Sequence, residues 1–292
     1  MLNYGGFVRY TLACITALGA SALFAIPASA GTLYNNLTPN NQMAMATRTD
    51  ANAFEIETAD DFTLAKENAV NSASFVGLIV PGGGAFSITG VTVEIYRVFP
   101  LDSDPIRIAQ VPTRMNSPSD NAFDTRDSGS GLTFSTSILA SNFTALNSIQ
   151  PGGIHAATLH TGGDGALTGQ EIQFDVTFTT PFDLPADHYF FVPQVTLSNG
   201  AQFYWLSASR PISGAGTTPI NPDLQAWTRD ANLDPDWLRV GTDIVGGNPA
   251  PTFNAAFSLE GSAVPEPGTI VLGFVGLALI TASRLKRQNK LQ

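Results

Sequence analysis

Gln170-Glu171-Ile172-Gln173-Phe174-Asp175-Val176-Thr177-Phe178-Thr179 alternates without a break. Ile172, Phe174, Val176 and Phe178 fall on one face and Gln, Asp and Thr on the other, which is the two-residue period of a half-buried antiparallel strand. Residues 91–98 (Val-Thr-Val-Glu-Ile-Tyr-Arg-Val) repeat that logic. Further strands are expected at 72–80, 132–139, 188–197, 202–208 and 253–260. Clusters of Gly, Pro, Asn and Asp separate them, among them Pro81-Gly82-Gly83-Gly84 and Thr161-Gly162-Gly163-Asp164-Gly165. Helical periodicity is nearly absent between these ends; a short helical turn is expected only at 223–229, capped by Asn221-Pro222. Several short strands between turn signals, with no internal repeat of fixed period, indicate an all-β domain of antiparallel β-sandwich or jelly-roll type. A polar stretch, 112–131, is expected to form a long surface loop tied down by local Asx and Ser turns. Hydrophobic content of 43% argues against wholesale disorder.

The two ends differ from this middle. Residues 1–10 carry one positive charge, Arg9; residues 12–26 are apolar, and Ala28-Ser29-Ala30 is a small-x-small cleavage site. That is the layout of a signal peptide over 1–30, with cleavage after Ala30. Cys14, the only cysteine, lies inside this segment, so the exported chain would hold no disulfide, thiolate metal site or cysteine nucleophile. At the other end, Val264-Pro265-Glu266-Pro267 is a turn no helix runs through, because each proline lacks a donor and fixes φ. Residues 270–282 hold no charge and no proline, and Arg284, Lys286 and Arg287 then form a basic stop-transfer cluster. The apolar run is shorter than the roughly 20 residues of a full span, which suits a transient membrane segment better than a permanent anchor.

Motif, apolar run and basic cluster in this order resemble the PEP-CTERM sorting signal of bacterial exported proteins. The resemblance is confined to residues 264–292. It implies export, recognition of the tail by a sorting protease at the membrane, and delivery to the cell surface or extracellular matrix of exopolysaccharide-producing bacteria. The body, 31–263, is then a single β domain.

All 24 acidic residues but only 9 of the 14 basic ones lie between Ala30 and Pro267, so that region carries a net charge near −15 against −10 for the whole chain. Such a surface is a poor partner for nucleic acid, whose binding rests on neutralised phosphates. Specific chemistry is sparse. Asp102 and Asp104 are candidate calcium ligands, the one cofactor the sequence suggests, as is the aspartate group of the 120–127 loop, although neither fits an EF-hand loop. His155 and His160 lack the third convergent ligand zinc needs. No nucleophile elbow is present. A glycosidase needs only two carboxylates at a set separation, but Glu94 and Glu171 fall on outward strand faces where solvated side chains are the norm. Trp227 and Trp237, near turns, are candidate carbohydrate-stacking platforms, since a flat apolar ring beside polar acceptors suits a sugar face; Trp205 is read as core. Together these readings give an exported, non-catalytic surface or matrix protein associated with exopolysaccharide; the alternative is a secreted polysaccharide-active enzyme on the same kind of frame.

Overall fold

The computed structural model describes residues 30–50, 54–104, 106, 115–150, 159–209, 225–230, 237–264, 276, 280, 281 and 283. The fold is all-β, in two sheets. The larger contains β1 (Gly31–Asn35), β2 (Pro39–Ala46), β4 (Asn68–Val80), β7 (Leu132–Ala145), β8 (Ser148–Ile149), β9 (Leu167–Leu184), β11 (Gln202–Ala208), β14 (Asn254–Ala255) and β15 (Phe257–Ala263). The smaller runs β13 (Leu238–Arg239), β12 (Trp227–Asp230), β3 (Ile56–Leu64), β10 (Asp187–Leu197), β5 (Ile88–Arg97), β6 (Asp124–Asp127), every pair antiparallel. Among the described strands of the larger sheet only β2 and β8 run parallel.

β4 is the spine. One edge pairs with β9 along nearly its whole length, and β9 in turn carries β7. The other edge is shared: β15 takes Asn68 to Phe75, and β11 takes Gly77 to Val80. The sheet forks at Ala256, whose carbonyl accepts the Val76 N–H at 3.1 Å and Trp205 Nε1 at 2.9 Å, while its own N–H donates to the Leu206 carbonyl at 2.8 Å. This fork explains why the single strand expected at 253–260 appears as β14 and β15 in succession. Gly77 sits at the same point, where an added Cβ would lie 2.4 Å from the Phe203 ring.

The core-facing row of the 170–179 segment meets its counterparts as the alternation requires. Phe174 stacks on Phe75 at 4.9 Å, with Phe203 edge-on at 5.3 Å. From the smaller sheet, Phe191 stacks on Phe257 at 5.1 Å and tilts against Trp205 at 5.9 Å. One buried cluster therefore joins residues of both sheets. A second, smaller one covers the outer face of the six-stranded sheet: Ala59, Tyr96, Phe190, Val192, Trp227 and Trp237.

Two local expectations are corrected. The helical turn at 223–229 is not formed over its described part: Trp227 to Asp230 is strand β12, because its backbone pairs with Ile56 to Ala59 of β3. The described part of 112–131 does carry an Asx turn, Asp127 Oδ1 accepting the Gly129 and Ser130 N–H groups at 2.7 and 2.9 Å, but it is not all loop: Pro118 bridges Val98, and Asp124 to Asp127 is edge strand β6, pairing Thr92 to Ile95. The signal segment up to Ser29 and the tail motif from Pro265 onward, with Arg284, Lys286 and Arg287, lie outside the described residues. Gly276, Ile280, Thr281 and Ser283 are helical, and among the described residues no helix is long and apolar enough to cross a membrane.

The ends of the domain lie side by side. Gly31 pairs with Gly261 across β1 and β15, and the Val264 N–H donates to the Glu67 carbonyl at 3.2 Å.

Candidate functional site

The outer face of the six-stranded sheet gathers the densest polar chemistry among the described residues. Glu57 (β3), Glu94 and Tyr96 (β5) and Arg229 (β12) point to this face because each is out of phase with the core row of its strand. The Tyr96 hydroxyl donates to Glu57 Oε1 in a short hydrogen bond and lies 3.1 Å from Glu94 Oε2. Arg229 Nε donates to Glu57 Oε2, and another guanidinium N–H reaches the Tyr96 oxygen at 3.2 Å. Arg229 also donates to the Asp120 carbonyl at 3.1 Å and lies 4.5 Å over the Trp237 ring. Trp237 Nε1 donates to the Ser119 carbonyl at 2.9 Å. The cluster thus fastens the 119–120 segment and Trp237 onto three strands.

Its electrostatics follow from burial. Glu57 is 2% exposed. Desolvation pushes its carboxyl up, but the Arg229 charge and hydrogen bond outweigh that and hold it below its ordinary value. Glu94, on β5 and separated from β3 by β10, is pushed up to about 8, first by burial and then by the charge of Glu57. At neutral pH it keeps its proton, and the Tyr96 hydroxyl contacts both it and the Glu57 carboxylate. Glu55, just before β3, is also raised, by burial against the opposing hydrogen bond from Gln194, whose Nε2 is 2.8 Å away. The pair is chemically a proton holder. The Tyr96 hydroxyl contacts both carboxyls, with an Arg229 N–H 3.2 Å from its oxygen.

A pH dependence of stability results. Glu94 ionises in the unfolded chain near its ordinary 4.5 and in the fold near 8. Stability from the neutral form is therefore complete below about 4.5 and is lost as pH rises through about 8. Thermal melts should show Tm falling by on the order of 5 °C between pH 6 and 9. Glu94→Gln, which stays neutral, should flatten that fall; an unchanged slope would remove Glu94 as its source.

The other sequence-based candidates fare differently. Trp227 and Trp237 are 2% and 1% exposed, which corrects their reading as sugar platforms: their rings are packed under Arg239 and Arg229 and within the outer apolar cluster. Trp205 is core. The exposed aromatic rings among the described residues are Phe54 and Phe123, and a guanidinium covers each, from Arg48 at 4.7 Å and Arg97 at 4.8 Å. Asp102 grips Arg97 with both carboxylate oxygens, one at 2.6 Å from Nε, and Asp104 Oδ1 accepts the Ile106 N–H at 2.9 Å. The two do not converge, and among the described residues no three His, Cys, Asp or Glu side chains gather as a metal site needs. Glu94 and Glu171, expected on solvated faces, are instead drawn into the protein, Glu171 to 8% exposure. Sequence reading missed the Glu57–Glu94–Tyr96–Arg229 cluster because its members come from three strands, with Arg229 lying 172 positions from Glu57. Compared with known protein families, characterised proteins and solved structures, the chain matches none.

Proposed function

We propose that this chain is an exported, non-catalytic surface or extracellular-matrix protein, carried on a β-sandwich frame of jelly-roll type and sorted through residues 264–292 by a membrane-bound protease. The observation that supports it is the placement of the strand ends. The first described strand begins at Gly31, directly after the expected cleavage point at Ala30, and the last ends at Ala263, directly before the Val264-Pro265-Glu266-Pro267 motif. Either appendage can be removed without cutting a strand.

Association with exopolysaccharide, on this reading, uses polar contacts and no stacked ring. The outward face of β4 and β9 offers Ser72, Ser74, Gln173, Asp175 and Thr177; Ser74 and Gln173 both donate to Asp175 Oδ1 at 2.7 Å. The alternative, a polysaccharide-active enzyme, draws on the meeting of Glu57 and Glu94. The hydroxyl wedged between them favours the non-catalytic reading, because hydrolysis needs room for a glycosidic oxygen or a water between the carboxyls.

The test is made in the producing cell. Replacing Val264, Pro265, Glu266 and Pro267 with alanine should abolish C-terminal processing and change where the protein is found, while the domain still melts cooperatively. Unaltered C-terminal mass and location would sink the sorting reading. Co-sedimentation of the exported protein with the cell's own polysaccharide tests the matrix role, and failure to pellet above a protein-only control would remove it.

A further inference from the structure

Among the described strands of the larger sheet, one long edge is open. β7 pairs with β9 alone among the described strands, and from Thr133 to Asn142 almost every residue is exposed or half-exposed. Ile138 and Leu139 are 60% and 49% exposed. Natural edge strands are usually blunted by charge or proline, because an open ladder recruits other strands. β7, Leu132-Thr-Phe-Ser-Thr-Ser-Ile-Leu-Ala-Ser-Asn-Phe-Thr-Ala145, contains no charge, no proline and no glycine, although the chain carries 38 charged residues.

We propose that this edge pairs with the same edge of a second copy of the chain, antiparallel and centred on Ser135. Register shifts after Ile138 and again after Ala140 break the ladder, so the regular stretch is 132–138. A two-fold axis normal to the sheet through Ser135 uses all of that stretch. Leu132, Phe134, Thr136 and Ile138 share the row opposite Phe178, Val176, Phe174 and Ile172 of β9. The two-fold sets Leu132 against Ile138 of the second copy, apolar on apolar, and Phe134 against the Thr136 methyl, so the exposed Ile138 gains a cover. On the other face Thr133 meets Ser137 and Ser135 meets Ser135, hydroxyl pairs of the kind that favour antiparallel neighbours. A shift by two residues in either direction shortens the match. The second copy fits because the pattern is its own complement.

The experiment uses the full chain in its producing cells, with Cys14→Ser as background. Ser135→Cys should give a disulfide-linked dimer under mild oxidation, since directly opposed Cβ atoms stand about 5 Å apart. Thr136→Cys should not, because its symmetry mate is displaced to about 7 Å. In sedimentation, Ser135→Lys should weaken self-association at least about tenfold by placing like charges opposite each other. Tm should hold, because the new side chain also lies opposite Asp175 of β9. An equal mixture of Ser135→Lys and Ser135→Glu,Asp175→Asn chains, each melting cooperatively on its own, should restore pairing. A chain monomeric at every concentration, a mixture that does not recover, or Thr136→Cys cross-linking as readily as Ser135→Cys would each overturn the proposal.

Discussion

Phe174→Asp is expected to leave no cooperatively folded domain. Phe174 is fully buried and packs on Phe75, Phe203 and Phe134. Removing the ring costs about 3–5 kcal/mol, and a carboxylate in its place, among the apolar side chains of this cluster, adds several more. Together these approach or exceed the roughly 5–15 kcal/mol that holds a domain of this kind. Thr177→Asp, on the exposed face of the same strand, should melt within a few degrees of the parent. Calorimetry of both variants tests the face assignment at once. A sharp transition for Phe174→Asp would mean that the two faces of β9 had been exchanged.

Arg229→Leu has the second largest expected effect. It leaves the Glu57 carboxylate, 2% exposed, without its cation, and strips Trp237 of the guanidinium that covers it. Breaking a buried pair from one side costs about 3–5 kcal/mol, mostly the burden of the orphaned charge. Glu57→Gln alone should cost less, and adding it to Arg229→Leu should recover a good part of the loss. Urea midpoints of the four chains give the coupling directly. Arg229→Leu unfolding at the parent's midpoint would show that Glu57 is solvated after all.

What the sequence made legible was the strands whose two faces differ. β5, β9, β10 and β11 alternate or run apolar between turns and appear where the pattern places them. β3 was hidden for the opposite reason. Ile56-Glu-Thr-Ala-Asp-Asp-Phe-Thr-Leu64 carries acids on both faces, and all are consumed inside: Glu57 by Arg229, Asp60 by the Ala255 N–H at 2.8 Å, Asp61 by His188 at 2.7 Å. A lone sequence shows the acid and not the donor that neutralises it. The tryptophans misled similarly. Trp227 and Trp237 stand beside turn-forming residues, yet the cation over Trp237 comes from two positions after Trp227, a pairing only the β12–β13 fold-back creates. The polar cluster, built across three strands, left no local spacing to read.

The neighbouring ends have a mechanical meaning. β15 leads into the tail and is zipped on both sides, to β1 and to β4. Tension entering through residue 264 therefore runs along a strand clamped by two ladders and loads their hydrogen bonds together in shear, so they do not open one by one. The other edge of this part of the sheet is β7, reached in four strand steps from β1 through β15, β4 and β9. The pulling point, on β15, is three of those steps from the open edge, roughly 14 Å at about 4.8 Å per step. Lateral traction on β7 would reach the ladders of β15 through the hydrogen bonds of β9 and β4, within one sheet.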